Sequence, residues 1–261
     1  MTRTSGPNTL TFIYWAFVAY LFLPLAMMTL MGFKDSQFIG FPINEWTTDW
    51  YYTALTDPTI RSTFIYSITI AVVSTVLSLF IGTWVALLLG PTRFWGKLAV
   101  FGLMCLPAVV PGVISAIALR IFIRLIGIEP GMGAIIFGHT IHNVPFVALL
   151  VMARLSSLRQ SHLDAARDLG ADNLITFLRI TLPYLKPALV GGTVFCLLLS
   201  FDDFVRSFFL GGYQPTLPVL IFAELRSGMS PEINAIATVV LLLTALGGLW
   251  AERSMRRLNR S

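Results

Sequence analysis

Five stretches of this chain contain no Asp, Glu, Lys or Arg: residues 4–33, 62–92, 98–119, 131–153 and 233–251. Each reaches or approaches the roughly 20 apolar residues a helix needs to cross a bilayer. A further stretch, 187–210, is apolar apart from Asp202, Asp203 and Arg206. In lipid every backbone amide must be paired internally, which leaves helices or closed barrels. A barrel would need alternating strands of about ten residues, and these runs do not alternate. Composition agrees, because 12% of the 261 residues are charged against about a quarter in a water-soluble chain. The expectation is an all-α polytopic membrane protein, one transmembrane domain over 1–261. Its six spans fall at about 9–33, 62–89, 98–124, 131–153, 187–210 and 233–251.

The first run is too long for the apolar part of a cleaved leader, which is about 7–15 residues, and no A-x-A site follows it. It reads as a retained helix. Cys105 and Cys196 sit alone in different spans and suggest neither a disulfide framework nor a zinc site. The net charge of +5 follows topology and is no argument for nucleic acid. With the N-terminus in the cytoplasm, the inner segments hold twelve of the 18 Lys and Arg. These are Arg3, Arg93, Lys97, Arg154, Arg159, Arg167, Arg179, Lys186, Arg253, Arg256, Arg257 and Arg260. The bias places both termini, and the long polar segment 161–183, on the cytoplasmic side. The basic tail 252–260 suits attraction to lipid headgroups.

Several features along the spans carry ordinary structural readings. Pro24 should kink the first helix or cost it a backbone bond. Trp46, Trp50, Tyr51 and Tyr52 suit an interfacial belt in the outer loop. Ser67, Thr69, Ser74, Thr75 and Ser78 permit close helix approach in the second span. Pro107, Pro111 and Gly112 free backbone carbonyls in the third, which should therefore lie inside the bundle. Arg120 and Arg124 can snorkel to the outer surface. His139 and His142, at i and i+3, could share a helix face, but no second cluster of ligands accompanies them. No phosphate-binding G-x-x-x-x-G-K-[ST] loop and no Ser/His/Asp set occurs, so no catalytic or metal site is expected.

Residues 161–183, SHLDAARDLGADNLITFLRITLP, are the one polar interruption with helical signals of its own. Ser161 and Asp164 fit a capping box. Ala165 and Ala166 give a small-residue face, Gly170 can stop the helix in the left-handed conformation, and Asp172 offers a second N-cap. Leu174, Phe177, Leu178 and Ile180 make the next helix amphipathic, and Pro183 should end it. The reading is two short helices about a glycine elbow.

This stretch resembles the coupling loop of importer-type ABC-transporter permease subunits, which reads E-A-A, three residues, Gly, nine residues, Ile, one residue, Leu-Pro. Here it runs Asp164-Ala165-Ala166, Gly170, Ile180, Leu182-Pro183, with Asp in place of the first Glu. Segments 199–212, 216–222 and 230–238 look like the second permease of polyamine (spermidine/putrescine) importers. Permeases for amino-acid derivatives, opines or ferric iron are similar. The resemblance implies the type I importer permease fold in a bacterial inner membrane, and a non-enzymatic subunit binding no cofactor itself. The implied partners are a sister permease, two copies of an ATPase that uses ATP and magnesium, and an external solute-binding protein. Asp164, Ala165, Ala166, Gly170, Ile180, Leu182 and Pro183 would then form the ATPase contact.

Asp202 and Asp203, flanked by Phe201 and Phe204, stand roughly 22 Å along the fifth helix from Pro187 at 1.5 Å per residue. Acidic groups at such depth need compensation. A cationic solute on its path is one source, and Arg206, at i+4 and i+3, is the other. A self-contained channel or secondary transporter would share the spans and acids but would have no use for the two-helix elbow.

Overall fold

A computed structural model describes residues 9–36, 42–90, 94–227 and 231–258. Arg3, Arg93, Ser230 and Arg260, used above for topology or resemblance, lie outside the described residues. The apolar runs form helices, with a short one, α2, in the outer loop between the first two: α1 Thr9–Met31, α2 Asp49–Thr56, α3 Pro58–Leu89, α4 Lys97–Val109, α5 Gly112–Leu125 and α6 Met132–Leu155. There follow α7 Gln160–Asp168, α8 Asn173–Thr176, a π-helical turn Phe177–Thr181, α9 Leu182–Phe201, α10 Phe204–Leu210, α11 Leu217–Ser227 and α12 Pro231–Leu258. Among the described residues β pairing is confined to an isolated bridge between Lys34 and Trp46.

Among the described residues, five helical stretches are long and apolar enough to cross a membrane: Thr9–Met31, Pro58–Leu89, Met132–Leu155, Asn173–Phe201 and Pro231–Leu249. The sixth expected span is two helices, α4 and α5, bent by 108°. Pro111 caps α5 after an extended Val110. The proline has no amide to continue α4, and its ring disfavours helical backbone at the residue before it. By contrast α1 runs unbroken past Pro24.

Contacts divide the chain into two units, Met1–Arg61 with Ile221–Leu243, and Ser62–Leu220 with Thr244–Ser261. In the first, the aromatic loop is fastened to the end of α1. Trp50 Nε1 donates to the Lys34 carbonyl (2.8 Å), and the Tyr51 hydroxyl reaches the Thr29 carbonyl (3.4 Å). A Cβ at Gly32 would come within 2.8 Å of that hydroxyl, so the glycine permits the approach. Trp46 and Tyr52 stay exposed. Asp57 caps α3, its Oδ1 accepting from the amides of Thr59 (2.7 Å) and Ile60 (3.0 Å), with Pro58 at the first helical position.

The second unit is built around α6, which packs against α4, α5, α9 and α10. One apolar cluster gathers Tyr66, Ile70, Ile123, Ala134, Ile135 and Leu210. Another gathers Ala86, Val147, Ala148, Val151, Leu185 and Cys196. Small residues set the helix spacing: a Cβ at Gly82 would lie 2.7 Å from that of Val147. The hydroxyls of α3 are buried at Ser67, Ser74, Thr75 and Ser78. Ser67 Oγ accepts from the Leu217 amide (2.7 Å), and Ser74 Oγ lies 2.9 Å from Ser200 Oγ. These groups therefore join elements distant in sequence as well as permitting close packing.

Candidate functional site

The first candidate site is the elbow. Helix α7 begins at Gln160 with Arg159 at the N-cap and no side-chain capping bond. The expected capping box on Ser161 is therefore not formed. With the helix starting earlier, Ser161 is inside its first turn, and the Asp164 carboxylate turns to its own helix face. It accepts from Gln160 Nε2 (3.1 Å) and Arg167 Nη1 (3.3 Å), and stays exposed. Ala165 is exposed and Ala166 buried.

The end of α7 is as the sequence suggests. Gly170 has φ +80°, the Ala171 amide reaches the Ala166 carbonyl (3.0 Å), and the Gly170 amide reaches Arg167 (2.9 Å). This nested pair of bonds is a Schellman motif, which needs a left-handed residue where Gly170 stands. Asp172 then caps α8, its Oδ1 accepting from the Ile175 amide (2.7 Å).

The second helix does not stop at Pro183. It continues from Asn173 to Phe201 through the π turn, in which the Leu182 amide bonds the Phe177 carbonyl. A proline ring strikes the carbonyl four residues before it, and a widened turn gives the ring room. The expected apolar side also divides. Phe177 is half-buried and stacks on Trp84 (6.3 Å, 24°). Leu174 and Leu178, with Ile175 and Leu169, are exposed. Ile180 and Leu182 are half-buried and Pro183 exposed. An anchor that sequence reasoning missed holds the segment to α6: Arg154 Nε donates to the Tyr184 carbonyl (3.1 Å), and its guanidinium lies 4.3 Å from the centre of that ring. An arginine at the end of a span was the only available signal.

The second candidate site is the interruption between α9 and α10. Asp202 and Asp203 are adjacent but meet different surroundings. Asp203 is the N-cap of α10, its Oδ1 accepting from the Arg206 amide (3.0 Å) and its Oδ2 from Arg206 Nη1 (2.7 Å). Both side chains of this pair are buried, at 8% and 7% exposure. Asp202 is exposed. Phe201 and Phe204 are half-buried, in edge-on contact with Phe64 (5.9 Å) and tilted contact with Phe208 (5.4 Å).

The ion pair sits in a polar network within the apolar unit. His139 Nδ1 is 2.7 Å from Ser200 Oγ, while its Nε2 is 3.3 Å from Ser207 Oγ and 3.9 Å from Asp203 Oδ2. His142 Nδ1 is 2.9 Å from Arg206 Nη2 and 3.2 Å from the Pro107 carbonyl. The i, i+3 spacing of the histidines thus serves hydrogen bonding to the fifth span. Among the described residues no group of three or more His, Cys, Asp or Glu is arranged to hold a metal ion. Buried polar atoms in contact across these elements tie α6 to α9 and α10. Chemically, the arrangement leaves one exposed carboxylate, beside two aromatic rings, next to a neutralised pair.

Over residues 78–261 the chain matches the family described as binding-protein-dependent transport system inner membrane component. It is 34% identical over 230 residues to the spermidine/putrescine transport system permease protein PotC of Escherichia coli, covering 88% of this chain and 87% of the other. It is also 34% identical over 249 residues to the putrescine transport system permease protein PotI of that organism, covering 92% and 88%. Among solved structures, a chain of a bacterial ABC transporter for the acidic polysaccharide alginate superposes with TM-score 0.73 at 17% identity, covering 97% of this chain and 99% of that one. The alginate transporter bound to its periplasmic protein gives 0.72 at 19% identity, covering 97% and 93%. At these identities the structural likeness speaks for the fold.

Proposed function

This chain belongs to the family of binding-protein-dependent transport system inner membrane components, and we propose that the solute its transporter moves is a polyamine. It is a multi-pass permease subunit of the inner membrane with the ABC importer permease fold. The observation that carries the polyamine reading is the exposed Asp202 at the α9–α10 interruption, beside an Asp203 already neutralised by Arg206. A solute with ammonium groups would find a single uncompensated carboxylate there, with Phe201 and Phe204 to receive its methylenes. The names of the relatives, permeases for putrescine and spermidine, support the same class.

In this reading the exposed face of the elbow, Asp164, Ala165, Gly170 and Pro183 with Leu169, Leu174 and Leu178, seats in a cytoplasmic ATPase. Ala166, Ile180 and Leu182 shape it from within. ATP and magnesium are used by that partner, and no cofactor is bound by this chain. A sister permease completes the path, two ATPase copies drive it, and a binding protein delivers the solute from outside. Closure of the ATPases moves the elbow as a rigid body, because the Schellman turn and the Asp172 cap fix it, and continuous helix from Asn173 to Phe201 carries that motion to Asp202.

The test is ATP-driven uptake into proteoliposomes by the permease pair reconstituted with the ATPase and binding protein encoded beside it. Labelled putrescine or spermidine should accumulate, and unlabelled polyamines should compete where neutral amino acids do not. Uptake confined to another solute, such as an opine or ferric iron, would overturn the polyamine reading. Accumulation without any ATPase would overturn the ATP-driven one.

A further inference from the structure

Among the described residues two spans are interrupted, and one side chain reaches both interruptions. Helix α4 ends at Val109 and α5 begins at Gly112, with the axes bent by 108°. The Pro107 carbonyl is among the last four of α4, which have no partner within their own helix. The residue four places on, Pro111, has no amide to offer. His142 Nδ1 lies 3.2 Å from that carbonyl. The same nitrogen lies 2.9 Å from Nη2 of Arg206, which Asp203 holds in the first turn of α10 after the second interruption.

One ring nitrogen cannot serve both partners at once. Bonding a carbonyl requires a hydrogen on Nδ1, whereas accepting from a guanidinium requires a lone pair there. We propose that His142 is a positioning residue that fastens the two interruptions alternately. With the hydrogen on Nδ1 it holds the end of α4 through Pro107. With the hydrogen on Nε2 it accepts from Arg206 and holds the start of α10. The exchange removes a proton from one ring nitrogen and returns one to the other, leaving the net charge unchanged. A cavity of about 300 Å³, otherwise largely apolar, is bordered by Pro107, His142 and Arg206, and a water carrying that proton would need these three as its polar partners. Helices α5 and α10 pack on each other, so loosening one interruption while fastening the other would be felt across their contact. The inference rests on the chain being a permease that changes conformation, and not on which solute it moves.

The experiment is nitrogen-15 NMR of histidine-labelled permease in the assembled transporter, at rest and trapped with a non-hydrolysable ATP analogue, with the His142→Phe variant used for assignment. The His142 Nδ1 resonance should change between protonated and lone-pair positions from one state to the other. An Nδ1 of one kind in both states overturns the proposal, and the unmodified chain suffices to decide it. A second readout is His142→Asn, whose amide can donate and accept together and so fasten both interruptions at once. Transport per ATP hydrolysed should fall about tenfold, the scale of one hydrogen bond to a charged group, with assembly and melting unchanged. Transport equal to that of the natural chain would count against the alternation.

Discussion

Arg206 Nη1 lies 2.7 Å from Asp203 Oδ2 inside the second unit, and the two side chains are 7% and 8% exposed. A buried pair of this kind adds little stability over an apolar pair of the same volume, but removing one partner strands a charge. Asp203→Asn or Arg206→Met alone should each destabilise the permease by about 3–5 kcal/mol. The double variant should recover most of that loss. Thermal unfolding in detergent, followed by intrinsic fluorescence, checks the cycle. Additive losses in the double variant would show that the residues act independently.

Gly170 sits at φ +80° with no neighbour within 4 Å of an added Cβ, so conformation and not space requires glycine. Gly170→Ala should cost about 1–2 kcal/mol locally, leave the span helices folded and loosen the elbow. A β-branched Gly170→Val should go further and leave ATP hydrolysis by the assembled transporter insensitive to solute-loaded binding protein. The solute-stimulated ATPase rate is the measurement.

At Gly82 space decides, since a Cβ would lie 2.7 Å from the Val147 Cβ and 3.1 Å from the Val144 carbonyl. Gly82→Val should push α3 from α6 and destabilise by about 1–3 kcal/mol. Shortening the facing residue with Val147→Ala should restore part of the melting temperature.

Asp57 caps the start of α3, and the amides of Ile60 and Thr59 hold its carboxyl below the ordinary carboxylate range. A lowered folded value means the capping contribution is fully present above the ordinary carboxylate pKa of about 4. It is lost as pH falls through the lower folded value. Fraying at residues 59–61, followed by amide NMR, should rise on acidification in the natural chain. It should be independent of pH in that range for Asp57→Asn, which caps without titrating.

The all-helical, multi-span fold was legible because charge-free runs of that length have few other uses, and the elbow because Gly170 and Asp172 are local devices with local partners. Ser161 misled as a cap because the backbone enters α7 before it reaches that residue. Pro183 misled as a stop because a π turn ahead of it accommodates the ring, and one widened turn leaves no mark in composition. The pairing of Asp203 with Arg206 could be weighed from a three-residue spacing. The bonds from His142 could not, since its partners at 107 and 206 meet it only when α4, α6 and α10 are packed. Arg154 on Tyr184 belongs to the same class of long-range contact.

The most direct test of the proposed solute path compares Asp202→Asn with the natural chain in proteoliposomes supplied with saturating polyamine-loaded binding protein. Asp202 is exposed, and it closes α9 through its backbone amide while the side-chain cap of α10 is Asp203, so the variant should assemble and melt as the natural chain does. Uptake of labelled putrescine per ATP hydrolysed should fall about tenfold, equivalent to about 1.4 kcal/mol. Undiminished putrescine uptake by Asp202→Asn would contradict the assignment of Asp202 to the solute path.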